Sequence, residues 1–156
     1  MLFRSLIIIL MLIGGSPGST AGGMKTTTLA VLVSSALSVF RKKEHTHFFG
    51  RRIPDDTIKN AATVFLMYIV LFLVGGMVIS STEDIPLMTA LFETASAIGT
   101  VGLSLGITPD LGLVSHIILI CLMFLGRVGG LTLIFATLSE KKLNGSKYPQ
   151  EKITVG

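Results

Sequence analysis

Gly99-Thr100-Val101-Gly102-Leu103-Ser104 is the stretch of this 156-residue chain whose residue types suit a definite chemistry, the coordination of a dehydrated cation. Its glycines and β-branched residues favour an extended strand over further helix. Thr100, Val101, Gly102 and Leu103 are the candidate ion-binding residues. Carbonyls of Thr100, Val101 and Gly102 can replace the water around an ion, with the Thr100 hydroxyl as a further ligand. Gly102 permits dihedrals that a side chain would forbid. The residues just before favour the same chemistry. Asp84 can cap a helix over 86–98, with Pro86 tolerated in its first turn. Its apolar run spans only about half a bilayer at roughly 1.5 Å per residue. The negative end of such a helix would face the strand and favour a cation there. A short helix that dips in and returns as a strand is a re-entrant loop, a form allowed only inside protein or along a watery path. The competing reading is a surface hairpin, since Gly-rich segments are often turns.

Two charged residues sit in apolar surroundings. Arg127, within Gly126-Arg127-Val128-Gly129-Gly130, lies far from both ends of its apolar run. A guanidinium there must face protein or water and is a functional candidate; the alternative is an arginine that snorkels or ties helices together. Gly126 and Gly130 let another backbone come close. Glu93, on the short helix, reads as a support for the strand through hydrogen bonds to backbone N–H groups. A third feature is a break: Gly14, Gly15, Gly18, Gly22 and Gly23, with Pro17, interrupt the apolar residues near the start. Weaker candidates fall away. His45 and His47 are too few for a metal site. The stretch Gly18 to Thr26 imitates a phosphate loop, but Met24 stands where that motif needs glycine and no strand precedes it.

These residues must be positioned by membrane helices. The chain is 50% hydrophobic and only 14% charged, against about 25% charged in soluble domains. Its net charge of +4 gathers at the ends of apolar runs and reads as topology, not as nucleic-acid binding. The single cysteine, Cys121, excludes an intrachain disulfide. Residues 1–23 admit two readings: a signal peptide, or the first half of a broken span completed by 24–40. Residues 41–59 form a loop with Arg41, Lys42, Lys43, Arg51 and Arg52, placed in the cytoplasm by the positive-inside rule. A span is predicted over 60–79, where Gly75 and Gly76 permit close packing. The connection after it has acidic residues without Lys or Arg, as suits an external face. A last span over 113–138 leads into a basic, cytoplasmic tail, 140–156. The fold class is therefore an all-α membrane protein.

Together these pieces resemble the Trk/Ktr/HKT family of potassium transporters over essentially the whole chain. IGGSPGSTAGGMKTTT is similar to the broken second helix of that family's third repeat, FETASAIGTVGLS to its fourth pore helix and filter, and FLGRVGGLT to the second helix of the fourth repeat. The tail KYPQEKITVG is similar to the Ktr branch. The resemblance implies a pseudo-fourfold cation pore built from helix–pore-loop–helix repeats in a multi-pass cell-membrane protein. It resolves residues 1–40 as one broken helix with an intramembrane gating loop at 14–23, and 60–139 as the fourth repeat. It assigns K⁺ to Thr100, Val101 and Gly102, with Na⁺ as a possible second cargo, and a gate to Gly14, Gly15, Gly18, Gly22, Gly23 and Arg127. It implies a homodimer and a cytoplasmic nucleotide-binding regulatory subunit, for which 41–52 is a candidate contact. No organic cofactor and no nucleic acid are expected. Family members carry four repeats, so the chain is expected to be a truncated product or a fragment. The expected function is potassium transport. The alternative is a non-conducting membrane scaffold or remnant. An enzyme is not expected, because Glu93, Arg127 and the histidines do not converge in the sequence.

Overall fold

The structure is a computed structural model that describes residues 2–42, 47–48 and 51–128. Helix α1 (Leu2–Leu12) and helix α2 (Thr26–Phe40) are separated by an irregular break. Strands β1 (His47–Phe48) and β2 (Arg51–Arg52) pair antiparallel, with His47 opposite Arg52. Helices α3 (Asp55–Glu83), α4 (Leu87–Gly99) and α5 (Leu113–Val128) follow, with a 3-10 turn at Thr108–Asp110 before α5. Among the described residues the fold is all-helical apart from that small hairpin and a single bridge between Ile13 and Met24. His45, Gly129, Gly130, the rest of the predicted span to 138 and the tail lie outside the described residues.

Helix α3 is the one helix among the described residues long and apolar enough to cross a membrane. It is longer than the predicted 60–79 at both ends: Asp55 and Asp56 in its first turn favour the positive end of the helix dipole, and at the other end it runs on to Glu83. At about 1.5 Å per residue its 29 residues exceed a hydrocarbon core of about 30 Å. Helix α4 has 13 residues, about 20 Å at the same rise, and falls short of that core. Asp84 does not cap it, contrary to expectation. Asp84 takes a left-handed conformation (φ 52°, ψ 39°) that closes α3, and Pro86 stands at the N-terminus of α4 without a side-chain cap. The turn is held instead by the Ser80 hydroxyl, which donates to the Ile85 carbonyl at 2.7 Å. Glu83 then ties the end of α3 to the start of α5, accepting from the Gly112 N–H at 2.8 Å and the Ser115 hydroxyl at 2.5 Å.

Helix α4 is the enclosed element, packed against α1, α3 and α5. From Phe92 through Gly99 every residue is buried. Ile79 of α3, Leu119 and Leu122 of α5 and Met24 beside the break complete the core around Ile98. Outward, Leu66, Val70 and Val74 on α3 and Ile117, Ile120 and Phe124 on α5 are exposed. Apolar faces of that extent suit hydrocarbon or further helices, not water.

Close approach depends on glycine at two kinds of place. At Gly76 an added methyl would meet the flexible end of Leu91, which can turn aside. At Gly126 it would meet the backbone carbonyl of Ile98, which cannot. Gly76→Ala should therefore change stability by less than about 1 kcal/mol, since gained helix propensity offsets crowding. Gly126→Ala should cost about 1–3 kcal/mol or displace α5 from α4. Thermal unfolding of the two variants in matched detergent, followed by monodispersity, checks this ordering.

Candidate functional site

The site gathers where α4 ends. The N–H of Thr100 bonds the Ala97 carbonyl at 3.0 Å and that of Val101 bonds the Ser96 carbonyl at 2.9 Å. This is the Schellman pattern, and it places Thr100 at the left-handed position (φ 51°) that glycine usually fills. A β-branched residue there is strained, so other contacts must hold it. The extended strand predicted over 99–104 is not formed. Gly99 is the last residue of α4, Thr100 reverses the chain, and Gly102 (φ 82°) and Gly106 (φ 92°) keep the path irregular. Val101, Gly102 and Leu103 are exposed, while Thr100 is half-buried.

Glu93 is buried on α4 and holds the chain after this turn. Its Oε1 accepts from the Ser104 hydroxyl and the Leu105 N–H, each at 2.8 Å, and its Oε2 accepts from the Thr108 hydroxyl at 2.9 Å. The two hydroxyl oxygens are themselves 2.7 Å apart, and the Gly106 N–H donates to Ser104 at 2.9 Å. A buried carboxylate is costly unless its lone pairs are filled, and here three donors fill them. Its partners are hydroxyls and an amide, and Arg127 is not among them.

Below α4 lies the break between α1 and α2. Its base is closed by the Gly14 N–H on the Met24 carbonyl (2.7 Å) and the Thr26 N–H on the Gly15 carbonyl (3.3 Å). Its second half is fixed to the site: Gly22 N–H donates to Thr100 Oγ1 at 3.0 Å, and Gly23 N–H to the Gly126 carbonyl at 3.1 Å. A side chain at Gly22 would strike Thr100, and Gly23 has φ 76°, so both positions require glycine. The outer part is polar and exposed. Arg127 donates from Nη1 to the Thr20 carbonyl. Lys25 donates from Nζ to the carbonyls of Ser19 (3.2 Å) and Ala21 (2.8 Å).

Of the residues singled out in the sequence, Gly22, Gly23, Thr100 and Arg127 therefore meet around the end of α4. Gly14 and Gly15 close the base of the loop, and Gly18 stands at its exposed tip. Sequence reasoning missed Lys25, although a lysine directly before Thr26-Thr27-Thr28, where a hydroxyl would cap the helix better, was a readable signal. It also missed Ser104 and Thr108 as partners of Glu93, and Tyr68, whose hydroxyl lies 3.5 Å from the Gly126 carbonyl.

Residues 3–146 match the family model described as TrkH, cation transport protein. The chain is 43% identical over 157 residues to the potassium/sodium uptake protein NtpJ of Enterococcus hirae, covering 97% of this chain and 35% of that protein. It is 36% identical over 149 residues to the Ktr system potassium uptake protein B of Bacillus subtilis, covering 96% of this chain and 33% of that protein. The protein of the same name from Vibrio alginolyticus is 32% identical over 151 residues, with 97% and 33% covered. The chain thus spans about a third of the length of these relatives, which are named as transporters and not as enzymes. With matches across nearly its whole length, the chain belongs to the TrkH family of cation transport proteins.

Proposed function

We propose that this chain forms part of a potassium-conducting pore in the cell membrane, with Na⁺ as a possible second cargo. In this reading residues 1–40 are the broken second helix of a third repeat and 60–139 a fourth repeat. Helix α4 is the pore helix, and Thr100, Val101, Gly102 and Leu103 supply one quarter of a selectivity filter, with K⁺ held at Thr100, Val101 and Gly102. Gly14, Gly15, Gly18, Gly22 and Gly23 shape the gating loop, and Arg127 latches it. The basic loop 41–59 and the tail 140–156 face the cytoplasm, where a nucleotide-binding regulatory subunit of the Ktr type would dock on a homodimer.

The observation that carries the reading is the meeting of three elements on one spot. The buried half-length helix α4 ends in a strained turn at Thr100, and that turn bonds Gly22 of the break, while Gly23 bonds Gly126, next to Arg127. Nothing in an ordinary helical bundle requires a threonine in left-handed conformation beside an interrupted helix. In a pore both are useful: the turn exposes carbonyls for an ion, and the break can move. Glu93 would fix the filter from behind, through Ser104, Leu105 and Thr108.

Two measurements test this in a chimaera in which the chain replaces the stretch it matches in the Bacillus subtilis protein. For the filter, Gly102→Ser must strain a backbone at φ 82° whatever space surrounds it. Glu93→Ala would strip acceptors from two hydroxyls and one N–H, whereas Glu93→Gln keeps part of the set. Both Gly102→Ser and Glu93→Ala should lower the K⁺ over Na⁺ uptake ratio, with Glu93→Gln in between. An unchanged ratio in Gly102→Ser would remove 100–103 from the filter, whereas a chimaera with no uptake at all would favour a non-conducting scaffold.

For the gate, one charged hydrogen bond at an exposed guanidinium contributes on the order of 1 kcal/mol after screening, roughly a fivefold bias toward the closed state. Arg127→Ala and a shortened loop within Ser16 to Ala21 should each raise K⁺ flux by about that factor. Because both act on one contact, the combination should add little. Stopped-flow flux in vesicles at matched protein content decides it; lower flux in both single variants would mean that the contact is not a latch.

A further inference from the structure

We propose that Lys25 is a positioning residue for the gating loop: its ammonium grips the carbonyls of Ser19 and Ala21 and so holds the intervening Thr20 carbonyl toward Arg127. This deepens the gate reading above and rests on it. Three consecutive carbonyls, Ser19, Thr20 and Ala21, are each taken by a cationic side chain, two by Lys25 and one by Arg127. Exposed loop carbonyls are ordinarily left to water, so engagement of all three is a built arrangement.

The position of Lys25 makes the same point. It occupies the N-cap of α2 with φ −69° and ψ 145°, and its side chain makes no cap hydrogen bond. Ser, Thr, Asp and Asn are favoured there, and a positive charge opposes the helix dipole. The ammonium turns back across the loop instead, where carbonyl oxygens offset that repulsion. The loop is otherwise divided in two. Gly22 and Gly23 are buried and fixed to Thr100 and Gly126. Ser16 to Ala21 are exposed and, among the described residues, have only local ties of their own, Ser19 N–H to the Ser16 carbonyl and Ala21 N–H to the Ser19 hydroxyl. Lys25, half-buried beside the fixed half, is the link that transmits its position to the exposed half. Arg127 would reach a carbonyl already in place and would not have to order a free loop.

The test uses the chimaera described above, freed of other cysteines with Cys121→Ser, and carrying a nitroxide on Ser16→Cys. Lys25→Met should raise the mobile-to-immobile ratio of the label about threefold to tenfold, as expected for two charge-assisted bonds in part-solvated surroundings. Lys25→Arg, which keeps the charge and the donors, should restore the parent spectrum. Lys25→Gln, with fewer donors and no charge, should fall between, so a variant lost to misfolding does not end the test. K⁺ flux should rise in Lys25→Met as it does in Arg127→Ala. An unchanged spectrum in Lys25→Met overturns the proposal. If Arg127→Ala alone raises flux while Lys25→Met changes neither spectrum nor flux, the gate stands and the role of Lys25 is overturned. If Lys25→Met mobilises the label but neither variant changes flux, Lys25 holds the loop as proposed and the gate reading is overturned.

Discussion

The arrangement depends on one constraint: an interrupted helix inside an apolar protein leaves backbone groups that water cannot reach, and each must find a partner. Between α1 and α2 that demand is met piece by piece. Gly14 and Thr26 close the base of the loop on Met24 and Gly15, Gly23 reaches the Gly126 carbonyl, and Gly22 reaches Thr100. An unpaired buried amide costs about 1–3 kcal/mol, so these bonds are conditions for the break to exist and not additions to it. They also dictate where α4 and α5 must stand. The loop can be satisfied only if the end of α4 and the Gly126 turn of α5 come within hydrogen-bond reach. That requirement accounts for the glycine at 126, where backbone meets backbone, and for the burial of α4 from Phe92 onward.

Much of this was legible in the sequence because it is carried by local rules. Glycines and Pro17 predict the break, the apolar run of 60–79 predicts α3, and the short run before Gly99 predicts a helix too short to span. The family resemblance was equally readable, since the glycine, threonine and arginine motifs extend across the chain. What the sequence concealed were matters of competition between partners. Asp84 is a good N-cap residue, yet the chain needed a left-handed residue to end α3, and Asp84 filled that role. Thr100 and Val101 have strand-forming side chains, yet the helix C-terminus claimed their N–H groups and turned the backbone before a strand could form. The partners of Glu93 lie 11 to 15 residues away across an irregular turn, and no periodicity encodes such a pairing.

Thr100 shows how strain is held at the centre of the site. Glycine at that position would relieve the left-handed backbone, a gain of about 1–2 kcal/mol. It would also remove the hydroxyl oxygen that accepts the Gly22 N–H and leave a buried amide without its acceptor, a loss of similar size. The threonine is thus kept in a poor conformation by a bond to the fixed half of the loop whose outer half is proposed to move. In the pore reading this has a mechanical consequence. The residue that begins the proposed filter and the residue that begins the fixed half of the loop share one hydrogen bond, so a displacement of Gly22 would release the force that holds Thr100 in place. Filter geometry and gate position are then two faces of one equilibrium, and a change that opens the loop beyond Ala21 must also alter the carbonyls that meet the ion. The division of the loop avoids that cost in ordinary gating. In the proposed gate, Ser16 to Ala21 would swing away from Arg127 while Gly22 and Gly23 stay fixed, so the filter would keep its shape.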